Sequence, residues 1–159
     1  MSPKAGVVLP GYFAYVVPPL EGLWMTESGG FDGTNITDKS GLLWTSMIRQ
    51  PDFVTPKVFD WARETLHKKK PALPIEQARL EIFTEGTCAQ ILHIGPDDAE
   101  SVSIEKMKRF AEGNGLISAI GDPLPGGGMR RHHEIYLGDP RRTAPEKLRT
   151  IIRHPMKRA

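Results

Sequence analysis

The chain is short of three things: cysteine, long apolar runs and metal-ligand spacings. Cys88 is its only cysteine. A lone thiol forms no internal disulfide, so a disulfide scaffold is excluded and a reducing cytoplasm fits best. No apolar stretch approaches the roughly 20 residues of a spanning helix, so no membrane partner is expected. Lys4 comes early, and Pro10 and Gly11 then interrupt the apolar residues, unlike the continuous core of a signal peptide. His93, His132, His133 and Cys88 follow no zinc spacing, and adjacent strand histidines point to opposite faces. Gly126-Gly127-Gly128 lacks the Gly-Lys-Ser/Thr that would make it a phosphate loop. Neither metal nor cofactor is expected.

What remains is ordinary globular chain. The 159 residues fit one domain, 1–159, and a 39% hydrophobic content suffices for a core. The net charge of +2 hides an asymmetry: residues 130–159 carry 9 Lys/Arg against 3 Asp/Glu, a balance of +6. A basic terminus can bind nucleic acid, but no aromatic interleaving accompanies it. A solvated tail is the expectation, with no nucleic-acid partner.

The 16 glycines and 14 prolines punctuate the chain and keep helices few. Tyr12–Val17 is aromatic and β-branched and reads as a strand, broken by Pro18-Pro19. Leu20–Thr26 continues extended, 27–40 reads as an exposed loop, and Leu42–Arg49 reads as a strand. Thr55-Pro56 is a helix start, an N-cap followed by proline at the first position. Val58, Trp61, Ala62, Thr65 and Leu66 then recur at helical spacing, and His67-Lys68-Lys69-Lys70 complements the dipole before Pro71. Ala78–Thr84 and Thr87–Ile94 read as strands around Glu85-Gly86. Ser101–Glu112 reads as a helix with Ile104, Met107, Phe110 and Ala111 inside. Arg130–Leu137 reads as a strand, Ala144–Leu148 as a helical turn, and Thr150–His154 fits either strand or helix. This order favours an α+β fold, a largely antiparallel sheet with helices on one face.

Alternation along Arg131–Leu137 puts His133, Ile135 and Leu137 on one face and His132, Glu134 and Tyr136 on the other. If the aliphatic pair packs under helices, Glu134 lies on the free face beside aromatics. A carboxylate lined by ring faces suits a cation. Desolvation there would raise its pKa, as a general acid or base requires. A water-facing or arginine-paired glutamate fits the same pattern. Tyr12, Phe13, Tyr15, Trp24 and Trp44 suit a hydrophobic ligand site or a core equally. Cys88 reads as a structural cysteine rather than a nucleophile.

Three segments are more specific: Tyr12–Trp24 (YFAYVVPPLEGLW), Met47–Val54 (MIRQPDFV) and Arg131–Arg142 (RHHEIYLGDPRR), the last followed by Ala144-Pro145-Glu146-Lys147-Leu148. In this order they resemble the stand-alone branch of the GyrI-like small-molecule-binding domain family, over nearly the whole chain. The resemblance implies two β-α-β-β units, the first incomplete here because relatives usually begin with a further strand and helix. It implies a ligand groove for hydrophobic, cationic or planar aromatic compounds, centred on Glu134. Some stand-alone members look like hydrolases that open the cyclopropane ring of DNA-alkylating cyclopropanoid antibiotics. Glu134 would then position or activate water, with Tyr12, Trp24, Trp44, His132 and Tyr136 around the ligand. Asp97 stands where relatives often carry tyrosine, and Met25 where a second tryptophan is expected. The expected partner is a hydrophobic or cationic small molecule, with a homodimer as the assembly. Inhibition of a large partner such as DNA gyrase, and ligand sensing with a separate regulator, are the alternative functions.

Overall fold

The computed structural model describes residues 9–26 and 41–159; the loop expected over 27–40 lies outside them. The fold is α+β, with a six-stranded antiparallel sheet and two α-helices among the described residues. By its internal contacts the chain forms two compact units.

Among the described residues, the first unit holds 9–18 and 49–83. Its helix α1 (Pro56–Lys69) starts as the sequence requires: Thr55 accepts from the Val58 amide at 3.4 Å, and Pro56 occupies the first turn. His67, Lys68 and Lys69 close its last turn. Phe53 is the buried centre of an aromatic cluster, with the Tyr12, Phe13 and Tyr15 rings 5.2, 5.5 and 5.7 Å away. Tyr12–Val17 is therefore not the expected strand. Pro18 and Pro19 lack amide donors, so ladder pairing begins only at Leu20. Ala78–Thr84 is not a strand either. It alternates like one, but β3 (Cys88–Ile94), its expected hairpin partner, is paired instead with the C-terminal segment.

The second unit, 19–26, 41–48 and 84–159 among the described residues, holds the sheet. Its order is β2 (Leu42–Met47), β1 (Leu20–Thr26), β5 (His132–Tyr136), β6 (Arg149–Arg158) and β3, with short β4 (Leu116–Ser118) also on β6. Helix α2 (Glu100–Gly113) connects β3 to β4. The run β3-α2-β5-β6 is thus one β-α-β-β unit carrying β4 as an insertion.

The basic C-terminus is not a solvated tail. Its ten residues, 149–158, form the longest strand, set between β5 and β3. Two of its cations are paired within the fold: Arg153 with Glu85 at 2.9 Å, and Lys157 with Asp122 at 2.6 Å. Alternate residues Thr150, Ile152, His154 and Met156 are buried, the two-residue period of a sheet.

Residues paired across antiparallel strands share a face. Glu134 is opposite Ile152 and Gly22, and Ile152 is opposite Ile91. Ile152, Ile104 and Met107 form the core, with Ala89 and Ile91 packed against it. Helix α2 therefore covers the face that carries Glu134, not the face of Ile135. The apolar contact comes from β3 and β6, whereas Ile135 pairs with Ile151 on the opposite side. The expectation of a helix-free face for Glu134 is corrected on this point.

Candidate functional site

Glu134 sits mid-strand, its side chain 14% exposed. His132, two residues earlier on the same face, brings Nε2 to 2.7 Å from Glu134 Oε1. His132 Nδ1 lies 2.7 Å from His154 Nε2, reached across the β5–β6 pairing. Both contacts are satisfied when His132 donates Nε2–H to the carboxylate and shares one proton with the His154 ring at Nδ1. Burial, then the neighbouring His132, pushes His154 down to about 3, so its ring stays neutral.

Tyr136 completes the strand face. Its hydroxyl accepts from Trp24 Nε1 at 2.9 Å and donates to Glu134. Trp24 stacks on Trp44 with centroids 5.7 Å apart at 22°. Gly22 makes this closure possible. A Cβ there would lie 2.8 Å from both Trp24 Nε1 and the Tyr136 hydroxyl, and 3.2 Å from Trp44 Nε1. Burial, then the neighbouring Glu134 charge and hydrogen bond, pushes the Tyr136 phenol well up.

Glu134 is not raised, contrary to the sequence expectation. Burial pushes it up, but the His132 hydrogen bond and charge and the Tyr136 hydroxyl outweigh burial and hold it below the ordinary range. The raised carboxyl is Glu100, the first residue of α2. Burial, then Glu134 and Asp97, pushes it up to about 8. Glu100 is 8% exposed, and its Oε1 has no hydrogen-bond partner. Asp97 is raised too, by burial and then by Glu134. His93 anchors this end of α2: Nδ1 meets Ser103 Oγ at 2.9 Å and Nε2 meets the Pro96 carbonyl at 3.1 Å.

The structure thus brings together Trp24, Trp44, His132, Glu134 and Tyr136. Tyr12 belongs to the aromatic cluster of the first unit. His133 points to the other side, with Nε2 2.9 Å from Glu21 and Nδ1 3.0 Å from Glu85. His154 and Glu100 escaped the sequence reading. The Thr-Ile-Ile-Arg-His alternation at 150–154 could have revealed His154, but nothing local marks Glu100. Burial raises the Cys88 thiol, so it is no thiolate nucleophile.

Neither a family model nor a curated protein matches the chain. Solved structures from Listeria innocua do. One, described as a hydrolase, is 41% identical with a TM-score of 0.79; the alignment covers 98% of this chain and 71% of that one. An uncharacterized conserved protein is 44% identical at TM-score 0.82, covering 98% and 72%. A second hydrolase is 43% identical at TM-score 0.79, covering 98% and 71%. The chain belongs to the family of these Listeria innocua proteins. Fold and ancestry are shared over nearly all of its length, and two of these relatives are described as hydrolases.

Proposed function

We propose that this chain is a GyrI-like small-molecule-binding protein that takes hydrophobic, cationic or planar aromatic compounds at Glu134 and hydrolyses cyclopropanoid DNA-alkylating toxins. The observation that carries the reading is the carboxylate kept ionised at the sheet centre by His132 and Tyr136, beside the stacked Trp24–Trp44 pair. Such a carboxylate attracts a cation, and the rings supply apolar area and cation–π attraction. The hydrolase description of two relatives supports turnover as well as binding.

In the hydrolytic step, Glu134 orients a water and accepts its proton. The water oxygen bonds to the cyclopropane carbon as the strained C–C bond breaks. The electron pair of that bond passes into the electron-poor ring system fused to the cyclopropane, which then takes the proton. Water is added overall, and no oxidant or reductant is needed. Tyr136 and His132 hold the carboxylate in place, which limits the geometric freedom that slows such attack.

The test is a thermal-shift and ring-opening assay on wild type and Glu134→Gln, using planar aromatic cations and a cyclopropanoid compound. A ligand at 100 times its Kd stabilises the fold by about 2.7 kcal/mol. Wild type is expected to shift and to turn over. Glu134→Gln is expected to keep part of the shift and lose turnover by about 100-fold or more, the scale of a lost general base. Equal turnover in both proteins, or no shift with any compound, overturns the reading.

A further inference from the structure

Glu100 has no part in the proposed hydrolysis, yet it is the least satisfied group of the cluster. It is 8% exposed, its Oε1 has no partner, and the charges acting on it, Glu134 and Asp97, are negative. A carboxylate oxygen buried without a donor is costly. Something positive is the physical remedy. Two further donors stand beside it: Glu100, His132 and Glu134 each offer an atom within 4.8 Å of the others.

We propose that Glu100, His132 and Glu134 form a binding site for a divalent transition-metal ion of the zinc type. One imidazole and two carboxylates suit zinc, cobalt or manganese better than the all-oxygen shells of calcium or magnesium. Metal–ligand bonds of about 2.0–2.2 Å put tetrahedral ligand atoms about 3.4 Å apart. His132 Nε2 and Glu134 Oε1, at 2.7 Å, are already neighbours, and the ion displaces the proton between them. Glu100 closes the remaining gap by turning its side chain.

The surroundings are those of a built site. A metal-bound histidine commonly donates its other ring N–H to a fixed acceptor, which sets tautomer and ring orientation. Here His132 Nδ1 meets His154 Nε2 at 2.7 Å. Glu134 is likewise held by the Tyr136 hydroxyl. Three protein ligands leave positions open, so a bound ion would supply Lewis acidity and a more acidic water there. The site shares His132 and Glu134 with the proposed hydrolysis, but its test needs no turnover.

Isothermal titration of zinc into chelator-stripped protein tests it, together with visible spectroscopy of the cobalt-loaded form. No organic ligand is present, so the outcome is separate from that of the turnover assay. One ion per chain is expected, with intense cobalt bands of low coordination number. Glu100→Gln, near-isosteric and relieved of charge repulsion, is expected to fold and to bind zinc about 100-fold more weakly. His154→Gln should lose about 10-fold, as removal of an outer hydrogen-bond partner does. His67→Ala, an exposed histidine on α1, should bind as wild type. No binding by wild type, a site lost with His67, or undiminished binding by Glu100→Gln overturns the proposal; in the first case a proton alone satisfies Glu100.

Discussion

Strand β5 presents one histidine to each side of the sheet, and the two meet opposite treatment. His133, 1% exposed, is held between Glu21 and Glu85, and Glu85 is itself tied to Arg153 at 2.9 Å. Arg153 also meets Gln90 at 3.0 Å. Hydrogen-bond donors answer carboxylates there. Burial would raise Glu85, yet hydrogen bonds from His133 and Arg153 hold it below the ordinary range. On the other side, His132 and His154 stand against Glu134, Glu100 and Asp97, and one buried carboxylate oxygen is left over. The closed network is a fastening. The unbalanced one can still accept a ligand, a proton or an ion. Perturbed carboxyls of this kind gather at functional sites.

The comparison breaks most visibly on the closed side. His133→Ala strips two half-buried carboxylates of their shared partner, and such a loss costs about 3 kcal/mol or more. Chemical denaturation should show it, and a loss under about 1 kcal/mol would deny the network its structural role. Gly22→Ala comes next. Its methyl meets Trp24 and Tyr136 at 2.8 Å, and overpacking of this kind costs about 1–3 kcal/mol. Tryptophan fluorescence should change with it, because Trp24 must move.

Glu100→Gln sharpens the contrast in the opposite direction. In chelated buffer the folded carboxyl ionises near 8 against an ordinary 4.5. Between those values the folded state keeps a proton that the unfolded chain has lost. Stability therefore falls as pH rises from 4.5 to 8, by at most ~1.4 kcal/mol per pH unit. The glutamine variant should flatten this fall and melt higher than wild type at pH 8. His154 acts at the acid end. Its ordinary value of 6.5 is lowered to about 3 in the fold, so the unfolded chain protonates first and stability is lost as pH drops through that window. His154→Gln should soften that acid limb. The smallest effect belongs to Lys157→Ala. Its pair with Asp122 is 46% and 35% exposed, and such pairs contribute about 0.5 kcal/mol. A larger loss on thermal melting would show that β6 depends on this pair.

Much of the fold was legible because its signals are short-range. Thr55-Pro56 caps α1 whatever lies elsewhere, and α2, β1, β2, β5 and the turn at 145–147 announce themselves by period and punctuation. Alternation along β5 also put Glu134 on one face with His132 and Tyr136. The misreadings share a cause. Tyr12–Val17 and Ala78–Thr84 have strand composition but form no ladder, whereas Arg149–Arg158, charged and carrying Pro155, forms three. Partners, not composition, decide which extended segment becomes a strand.

The sequence by itself determined the helix caps, the strand alternation and the residue types gathered around Glu134, all set by neighbours within a few positions. Only the tertiary structure decided that the basic C-terminus lies inside the sheet, that α2 covers the Glu134 face, and that Glu100 rather than Glu134 is the raised carboxyl. Those outcomes depend on burial and on charges brought together from 97–100, 132–136 and 154. Desolvation and Coulomb forces act through space, and chain order does not encode that distance locally.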